Sequence, residues 1–285
     1  MKAASIRLNG TETAALESDA GFVPIGTVNE RLGEGWSMTM EEWLQRGEWD
    51  RLCAWYEGGG FRRLAELPAI PVEEAALAPL VRRPRKIIGV GMNYREKLEE
   101  LRGNREGADP VLFAKPDTSL IGPGDPIRLP KQSGRVTAEA ELAVVIGAAC
   151  KDADEGEAER AIAGYAASLD MTAADILADN PRYMFRAKSF DTFCGLGSQL
   201  VTPDEAPAPE ELFVETWLNG SLAHRNSVSK MLYPPSYIVS FVSRVMTLLP
   251  GDVILTGTPG SVPISRGDTA ECRIVGLRSL SNPVL

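Results

Sequence analysis

Glu139 and Glu141, with one residue between them, stand at the start of an apolar, β-branched run, Leu142–Ile146. Such a run is typical of a buried strand. Side chains two residues apart on a strand share one face, so both carboxylates point the same way. Like charges at this range repel and raise each other's pKa, and a divalent cation between them removes the conflict. The pair therefore indicates a metal centre at one end of a buried strand.

Two carboxylates are few ligands for a metal ion, so a third is expected. Asp170 follows a second apolar segment, Gly164–Leu169. It either completes the metal site or caps a helix over Met171–Leu177, and Thr172 with Asp175 offers a rival capping pair. An all-carboxylate site without His or Cys favours a hard cation, Mg²⁺ or Mn²⁺ with Ca²⁺ as a further option, over Zn²⁺ or Cu²⁺.

The composition limits the class of partner. A net charge of −9 and a pI near 4.9 argue against nucleic acid, because binding phosphates needs a basic surface. We expect no membrane association, since no apolar run has the length of a transmembrane helix or a secretory signal. The cysteines are scattered without a C-x-x-C pair, which favours free thiols and a reducing cytoplasm; they are Cys53, Cys150, Cys194 and Cys272.

The first 75 residues are interpreted as a small N-terminal α+β domain. Ala3–Leu8 and Ala14–Phe22 predict an antiparallel hairpin. A capping box at Thr39 predicts the start of a helix, and Gly58, Gly59 and Gly60 predict its end. Residues 67–71 are interpreted as a linker.

Residues 76–285 show short apolar segments separated by Gly and Pro turns, a pattern typical of a β-rich, mixed α/β domain. Two helices are expected, over Asp154–Ala163 and Pro235–Leu249. The expected strands are Lys86–Val90, Val111–Lys115, Ala140–Ile146, Gly164–Leu169, Leu212–Leu218, Val253–Thr256 and Ala270–Ile274.

Seven motifs occur in a fixed order from about Lys86 to the C-terminus. They are Ile88–Tyr94, Leu112–Pro116, Leu120–Asp125, the Glu139-x-Glu141 strand, Leu169–Ala173, Lys188–Phe193 and Pro250–Pro259. Together they resemble the fumarylacetoacetate hydrolase (FAH) family. One of these motifs alone is weak, but seven in order over most of the chain are specific.

The resemblance implies a β-sandwich roll, a homodimer and one divalent metal per active site. It implies that Glu139, Glu141 and Asp170 are the metal ligands. Members act on 2-oxo acids and β-dicarbonyl acids by hydrolytic C–C cleavage, decarboxylation, hydration or isomerisation. The metal acts there as a Lewis acid that stabilises an enolate. The expected partner of this chain is therefore a small 2-oxo or dicarbonyl acid.

Three further residues gain roles from the same motifs. The ammonium of Lys188 is expected to pair with a substrate carboxylate or oxyanion and to stabilise negative charge during the reaction. Lys115, before Pro116, is a candidate substrate contact. Thr258, in a Gly-Thr-Pro turn, either donates to substrate or shapes the loop.

The chain departs from the hydrolytic pattern after its Asn-Tyr pair. Hydrolytic members have a histidine there with a glutamate three residues later, and this dyad acts on water. Here Lys97 replaces the histidine, while Glu100 stands at the expected offset. A lysine has an ordinary pKa of about 10.4 and is a base only where its surroundings depress that value strongly. We retain Lys97 and Glu100 as candidate catalytic residues. The chain's one histidine, His224, is expected at the surface.

Other departures concern the substrate end of the site. Many members have arginine at the position of Ala174 and glutamine at that of Leu177, and Arg186, or Arg182, is the candidate replacement contact. The charged segment Arg95–Asn104 is either a solvated helix or a lid that closes over substrate.

We therefore expect a metal-dependent enzyme acting on a 2-oxo or β-dicarbonyl acid through an enolate, with C–C bond hydrolysis as the default reaction. Keto–enol tautomerisation, isomerisation or decarboxylation is the close alternative, because none of these reactions needs an activated water. A catalytically silent metal or oxo-acid binding protein is the alternative from another class.

Overall fold

The computed structural model describes residues 1–95 and 109–285. Strands predominate, and helices pack against both faces of the larger sheet. The strands are β1 Lys2–Leu8, β2 Thr11–Ser18, β3 Gly21–Pro24, β4 Ala76–Leu77, β5 Ile87–Gly91, β6 Val111–Lys115, β7 Leu120–Ile121, β8 Val136–Ile146, β9 Ile162–Ala173, β10 Cys194–Leu196, β11 Gln199–Val201, β12 Phe213–Leu218, β13 Ser221–Ser227, β14 Val253–Leu255, β15 Ser261–Ile264, β16 Thr269–Ile274 and β17 Leu280–Pro283. The helices are α1 Ile25–Leu32, α2 Met40–Gln45, α3 Trp49–Trp55, α4 Phe61–Leu64, α5 Glu155–Arg160, α6 Ala174–Asp179, α7 Met184–Lys188 and α8 Pro235–Val245.

The larger sheet is organised around two long antiparallel strands. Its order is β3-β2-β1-β11-β9-β8-β14-β5-β6, with β4, β7, β10 and β15 pairing off this path. Residues of β8 and β9 are almost all buried, so both strands are apolar except where their side chains reach the site. The predicted β-rich, mixed α/β fold is confirmed.

A smaller sheet, of order β13-β12-β16-β17, packs against one face of the larger sheet. The apolar side chains of Ala138, Ala140 and Leu142 on β8 face it and share an apolar cluster with Val214 and Cys272. Ala143 and Val145 alternate to the opposite face, where the cluster includes tryptophans and leucines of the N-terminal helices. The glutamates between Ala138 and Leu142 therefore point to the face that the N-terminal helices cover.

The N-terminal region contains the predicted hairpin, formed by β1 and β2 in antiparallel register. Strand β1 also pairs with β11, so the sheet continues from this region into the rest of the chain. The apolar cluster on this face likewise draws on both sides of residue 75. The division into domains 1–75 and 76–285 stays a prediction.

The helix predicted after Thr39 is wrong in its length and its end. Thr39 does cap it, because its hydroxyl accepts from the Glu42 backbone N–H at 3.2 Å. The helix stops at Gln45 and a second one starts at Trp49, after which a wide π turn, Tyr56–Gly60, leads into α4. The glycines permit that turn, since Gly59 has φ +119° and a Cβ on Gly60 would overlap the Trp55 ring.

Strands β8 and β9 begin earlier or end later than their apolar runs indicate. β9 continues through Asp170 to Ala173, and α6 begins at Ala174 with no side-chain cap. The capping alternatives for Asp170 and Thr172 are therefore wrong. The helix starting after Asp154 is confirmed, with a capping box to Glu157. In the part of the chain that the structure describes, every helix is too short or too polar to cross a bilayer.

Candidate metal centre

The pairing of β8 with β9 brings the three predicted acidic ligands together. Glu139 lies directly opposite Asp170, and Glu141 lies opposite Ser168, on the same face of the sheet. One oxygen from each of the three carboxylates lies within 4.8 Å of the other two. All three side chains are buried, with Glu139 at 9%, Glu141 at 2% and Asp170 at 0% exposure.

Glu141 is hard to ionise in this arrangement unless positive charge lies nearby. Burial raises the pKa of Glu141 well above its usual value, and the carboxylates of Asp170 and Glu139 raise it further, against the opposing effects of Lys188 and a backbone hydrogen bond. That bond comes from the Gly257 N–H, which donates to Oε2 at 2.6 Å. Gly257 has φ +99°, a conformation that favours glycine.

Two buried lysines supply part of the missing charge. Lys115 Nζ donates to Oδ1 of Asp170 at 2.5 Å, and Lys188 Nζ donates to its Oδ2. Lys188 also donates to Oε2 of Glu139 at 2.8 Å and lies 4.7 Å from the centre of the Phe113 ring. Burial lowers the pKa of Lys188, but Asp170, Glu139 and Glu141 outweigh that effect and raise it above the ordinary value. These carboxylates therefore favour the charged ammonium form of Lys188.

The donor set fits a hard divalent cation. When all three carboxylates are ionised, as metal ligands must be, they outnumber the two neighbouring ammonium groups by one negative charge among the described residues. Oxygen ligands of this kind suit Mg²⁺, Mn²⁺ or Ca²⁺. A divalent ion converts the excess of one negative charge into an excess of one positive charge, which attracts an anionic substrate.

Thr172 belongs to the same cluster, although its place in the sequence indicated only a role in capping a helix. Its hydroxyl donates to Oε2 of Glu139 at 3.1 Å. Its position two residues after Asp170 was the available signal, because strand alternation places both on one face. That alternation was not applied to Thr172, because a helix was expected to start at Met171.

The three other residues predicted to contact substrate differ from one another in their surroundings. The Lys115 side chain has 0% exposure. The Thr258 hydroxyl donates to the Gly260 carbonyl at 2.9 Å and accepts from its N–H at 3.2 Å, so it shapes its own turn. Arg186 is exposed, donates to Oε1 of Gln132 at 3.2 Å and stacks over Tyr183. A substrate contact by any of these side chains stays a prediction.

Lys97, Glu100 and most of the proposed lid fall in residues 96–108 and lie outside the described residues. His224 is half-buried, with Nε2 3.1 Å from the Ser261 carbonyl oxygen. Asn93, the residue before Tyr94, is fully buried. Its amide donates to the carbonyls of Tyr233 and Thr256 at 3.0 and 2.7 Å, so it fixes the turn that carries Gly257.

Comparison with known proteins identifies the family. The family model described as the fumarylacetoacetate (FAA) hydrolase C-terminal domain matches residues 86–285. The chain belongs to the fumarylacetoacetate hydrolase family. Within this family, it is 34% identical over 275 residues to the mitochondrial oxaloacetate tautomerase Fahd2a of Rattus norvegicus, covering 93% of this chain and 84% of that protein.

Two solved FAH-family structures share the whole architecture. A 5-carboxymethyl-2-hydroxymuconate delta-isomerase from Mycobacterium smegmatis superposes with a TM-score of 0.75 at 32% identity, over 100% of this chain and 98% of the other. Maleylpyruvate hydrolase from Sphingobium sp. SYK-6, solved with manganese(II) and pyruvate, gives 0.80 at 27% identity, over 100% and 99%. The family fold is confirmed, and the chain is an enzyme of a family that includes both hydrolases and isomerases.

Proposed function

We propose that this FAH-family chain is a divalent-metal-dependent enzyme that interconverts the keto and enol forms of a 2-oxo or β-dicarbonyl acid. The observation that carries the proposal is the buried Glu139–Glu141–Asp170 triad with the ammonium of Lys188 against two of its members. A bound divalent cation supplies Lewis-acid stabilisation of negative charge that develops on the substrate oxygens. The similarity to an oxaloacetate tautomerase supports this reaction class.

The residues of the chain have separate tasks. Glu139, Glu141 and Asp170 hold the ion, and the buried Lys115 donates a hydrogen bond to Oδ1 of Asp170. Lys188 stabilises developing negative charge, and the neighbouring carboxylates favour its ammonium form by raising its pKa. The aromatic ring of Phe113 lies on its other side and favours the ammonium through a cation–π contact.

We place tautomerisation before C–C hydrolysis, the default reaction expected from the sequence, because the chain lacks a histidine suited to activating water. Cleavage with water near neutral pH needs a group that removes a proton from it, and histidine is the side chain suited to that pH. The chain has a single histidine, His224, whose ring contacts the backbone of Ser261. Keto–enol interconversion also removes a proton from carbon, and Glu100 is the candidate acceptor for it, but the reaction needs no attacking water.

Hydrolysis stays the second candidate, because the manganese- and pyruvate-bound structure with a TM-score of 0.80 is that of a hydrolase. Decarboxylation of a 2-oxo acid uses the same enolate chemistry and is the third candidate. A catalytically silent binding protein loses its support, since the relatives are enzymes.

The test is a side-by-side assay of protein loaded with Mn²⁺ and, separately, with Mg²⁺. The substrates are oxaloacetate, followed by the loss of enol absorbance and by CO₂ release, and an acylpyruvate, followed by formation of the free carboxylic acid. We expect accelerated enol decay without CO₂ or acid release, abolished in Glu139→Ala together with metal uptake. Acid release from the acylpyruvate at a comparable rate would show a hydrolase instead, and activity retained in Glu139→Ala would refute the site.

Mg²⁺ as the physiological ion, a homodimer and a cytoplasmic location complete the proposal. The hard oxygen donors support Mg²⁺ as they do Mn²⁺. Parallel Mg²⁺ and Mn²⁺ titrations, light scattering after size exclusion and cell fractionation test these three points separately.

A further inference from the structure

We infer that Thr172 is a positioning residue, whose hydroxyl holds Oε2 of Glu139 and leaves Oε1 as the oxygen that would be available to a cation. This inference rests on the proposed function, because it concerns how one ligand of the metal site is oriented. Thr172 itself is not placed among the ligands.

The geometry of the β8–β9 ladder brings Thr172 to Glu139. Glu139 pairs with Asp170, and Thr172 lies two residues further along β9, opposite Thr137. Diagonal neighbours of this kind on one face are within reach of long side chains. The Thr172 hydroxyl donates to Glu139 Oε2 at 3.1 Å, and Thr172 is only 3% exposed.

Both side-chain donors of Glu139 in the described chain converge on one oxygen. Oε2 accepts from Thr172 at 3.1 Å and from Lys188 at 2.8 Å. Two donors on the same oxygen fix the rotation of the carboxylate and leave the second oxygen for a ligand bond. On Glu141, Oε2 likewise accepts a hydrogen bond, here a single one from the Gly257 N–H.

A threonine suits this task better than a charged residue. Its hydroxyl orients the carboxylate without adding positive charge that would compete with the cation, as an ammonium does. Hydrogen bonds to an ionised acceptor are the stronger kind, and the β-branched side chain is stiff at χ1. Burial of the pair removes competing water.

The experiment measures Mn²⁺ affinity by titration calorimetry of the full chain, with thermal unfolding of the same samples. Thr172→Val keeps the shape and removes the donor, and we expect Mn²⁺ to bind about ten-fold more weakly, as loss of an outer hydrogen-bond partner of a ligand does. Thr172→Ser restores the hydroxyl and is expected to restore the affinity. Thr137→Val, directly opposite in the ladder, is the matched control and is expected to bind like the wild type.

The outcomes separate the two proposals. A wild-type chain that binds no Mn²⁺ would refute the proposed function. A wild type that binds, with Thr172→Val binding equally well, would refute the positioning role alone, as would equal weakening in Thr137→Val or no recovery in Thr172→Ser. Should Thr172→Val not fold, Thr172→Ala supplies the variant without the hydroxyl.

Discussion

Lys188 shows at the scale of one residue how charge and chemistry are combined in this site. We predict that Lys188→Met lowers kcat about 100-fold, the usual cost of removing one donor to a developing oxyanion. Mn²⁺ affinity is expected to hold or rise, because the variant lacks the ammonium beside Glu139 and Asp170 that repels the cation. Steady-state kinetics and calorimetry on one preparation measure both quantities.

The control for this variant is Lys131→Met, a change to an exposed lysine outside the triad's contacts, which is expected to keep the wild-type kcat. Unchanged turnover in Lys188→Met would show that Lys188 has no catalytic role. Loss of Mn²⁺ binding in Lys188→Met would instead make Lys188 part of the structure of the site.

Gly257 is the second residue whose identity the site requires. A Cβ there would lie 2.7 Å from Cβ of Asn93 and 3.1 Å from the Val90 carbonyl oxygen, and φ is +99°. We predict that Gly257→Ala lowers the free energy of unfolding by about 2 kcal/mol or more, and that Mn²⁺ affinity falls because the N–H moves from Glu141. Urea unfolding and calorimetry measure the two effects.

Gly267 provides the matched comparison, since it has φ +89° with no atom within 4 Å of an added Cβ. Gly267→Ala carries the backbone strain alone and is expected to lose less stability and no Mn²⁺ affinity. If both alanine variants behaved alike, close approach at Gly257 would have no energetic role.

At the scale of one element, the π turn Tyr56–Gly60 places two glycines in contrasting surroundings. An added Cβ on Gly60 would lie 2.5 Å from the Trp55 ring, whose Nε1 donates to Glu34 at 2.7 Å, while Gly58 has open space. We predict that Gly60→Ala costs about 1–3 kcal/mol by overpacking, whereas Gly58→Ala stabilises by about 0.5–1 kcal/mol. Thermal and urea unfolding compare the two variants, and equal effects would contradict the packing argument.

The two central strands explain why the three carboxylates could be expected to lie together. Alternation along a strand fixes that Glu139 and Glu141 share a face, whatever the partner strand is. The position of Asp170 depends on register between β8 and β9, which the residues alone left open and the family motifs supplied. Thr172 was misassigned because its partner lies 33 residues earlier in the chain, so no local pattern contains their hydrogen bond.

Other elements escaped prediction for related reasons. The break between α2 and α3 and the π turn are set by packing of tryptophans and glycines, which helical spacing does not encode. The family motif made Lys115 a candidate substrate contact, and its burial against Asp170 depends on how β6 and β9, which are not neighbours in the sheet, approach each other in three dimensions. Individual segments could therefore be predicted from the sequence, while contacts between distant segments could not.

At the scale of the whole molecule, the close contact of the two sheets depends on small side chains. Ala140 lies between the glutamates, is fully buried and faces the smaller sheet, and its N–H donates to the Thr216 hydroxyl at 3.2 Å. We predict that Ala140→Leu costs about 1–3 kcal/mol and weakens Mn²⁺ binding, because the sheets must separate or β8 must bend. Ala223→Leu, exposed on β13, is the control for urea unfolding and calorimetry. Wild-type affinity in Ala140→Leu would show that the ligands tolerate a shift of β8.

Asp170 lies between two ammonium groups that belong to the polypeptide itself, and this has a consequence for handling the protein. Most of the repulsion in the acidic cluster is balanced internally, so treatment with a chelator should strip the ion and leave the chain folded. The same sample can then be refilled with one metal after another. Which divalent ion the protein binds in a cell would accordingly depend on which ion is available, because the fold does not require a particular one.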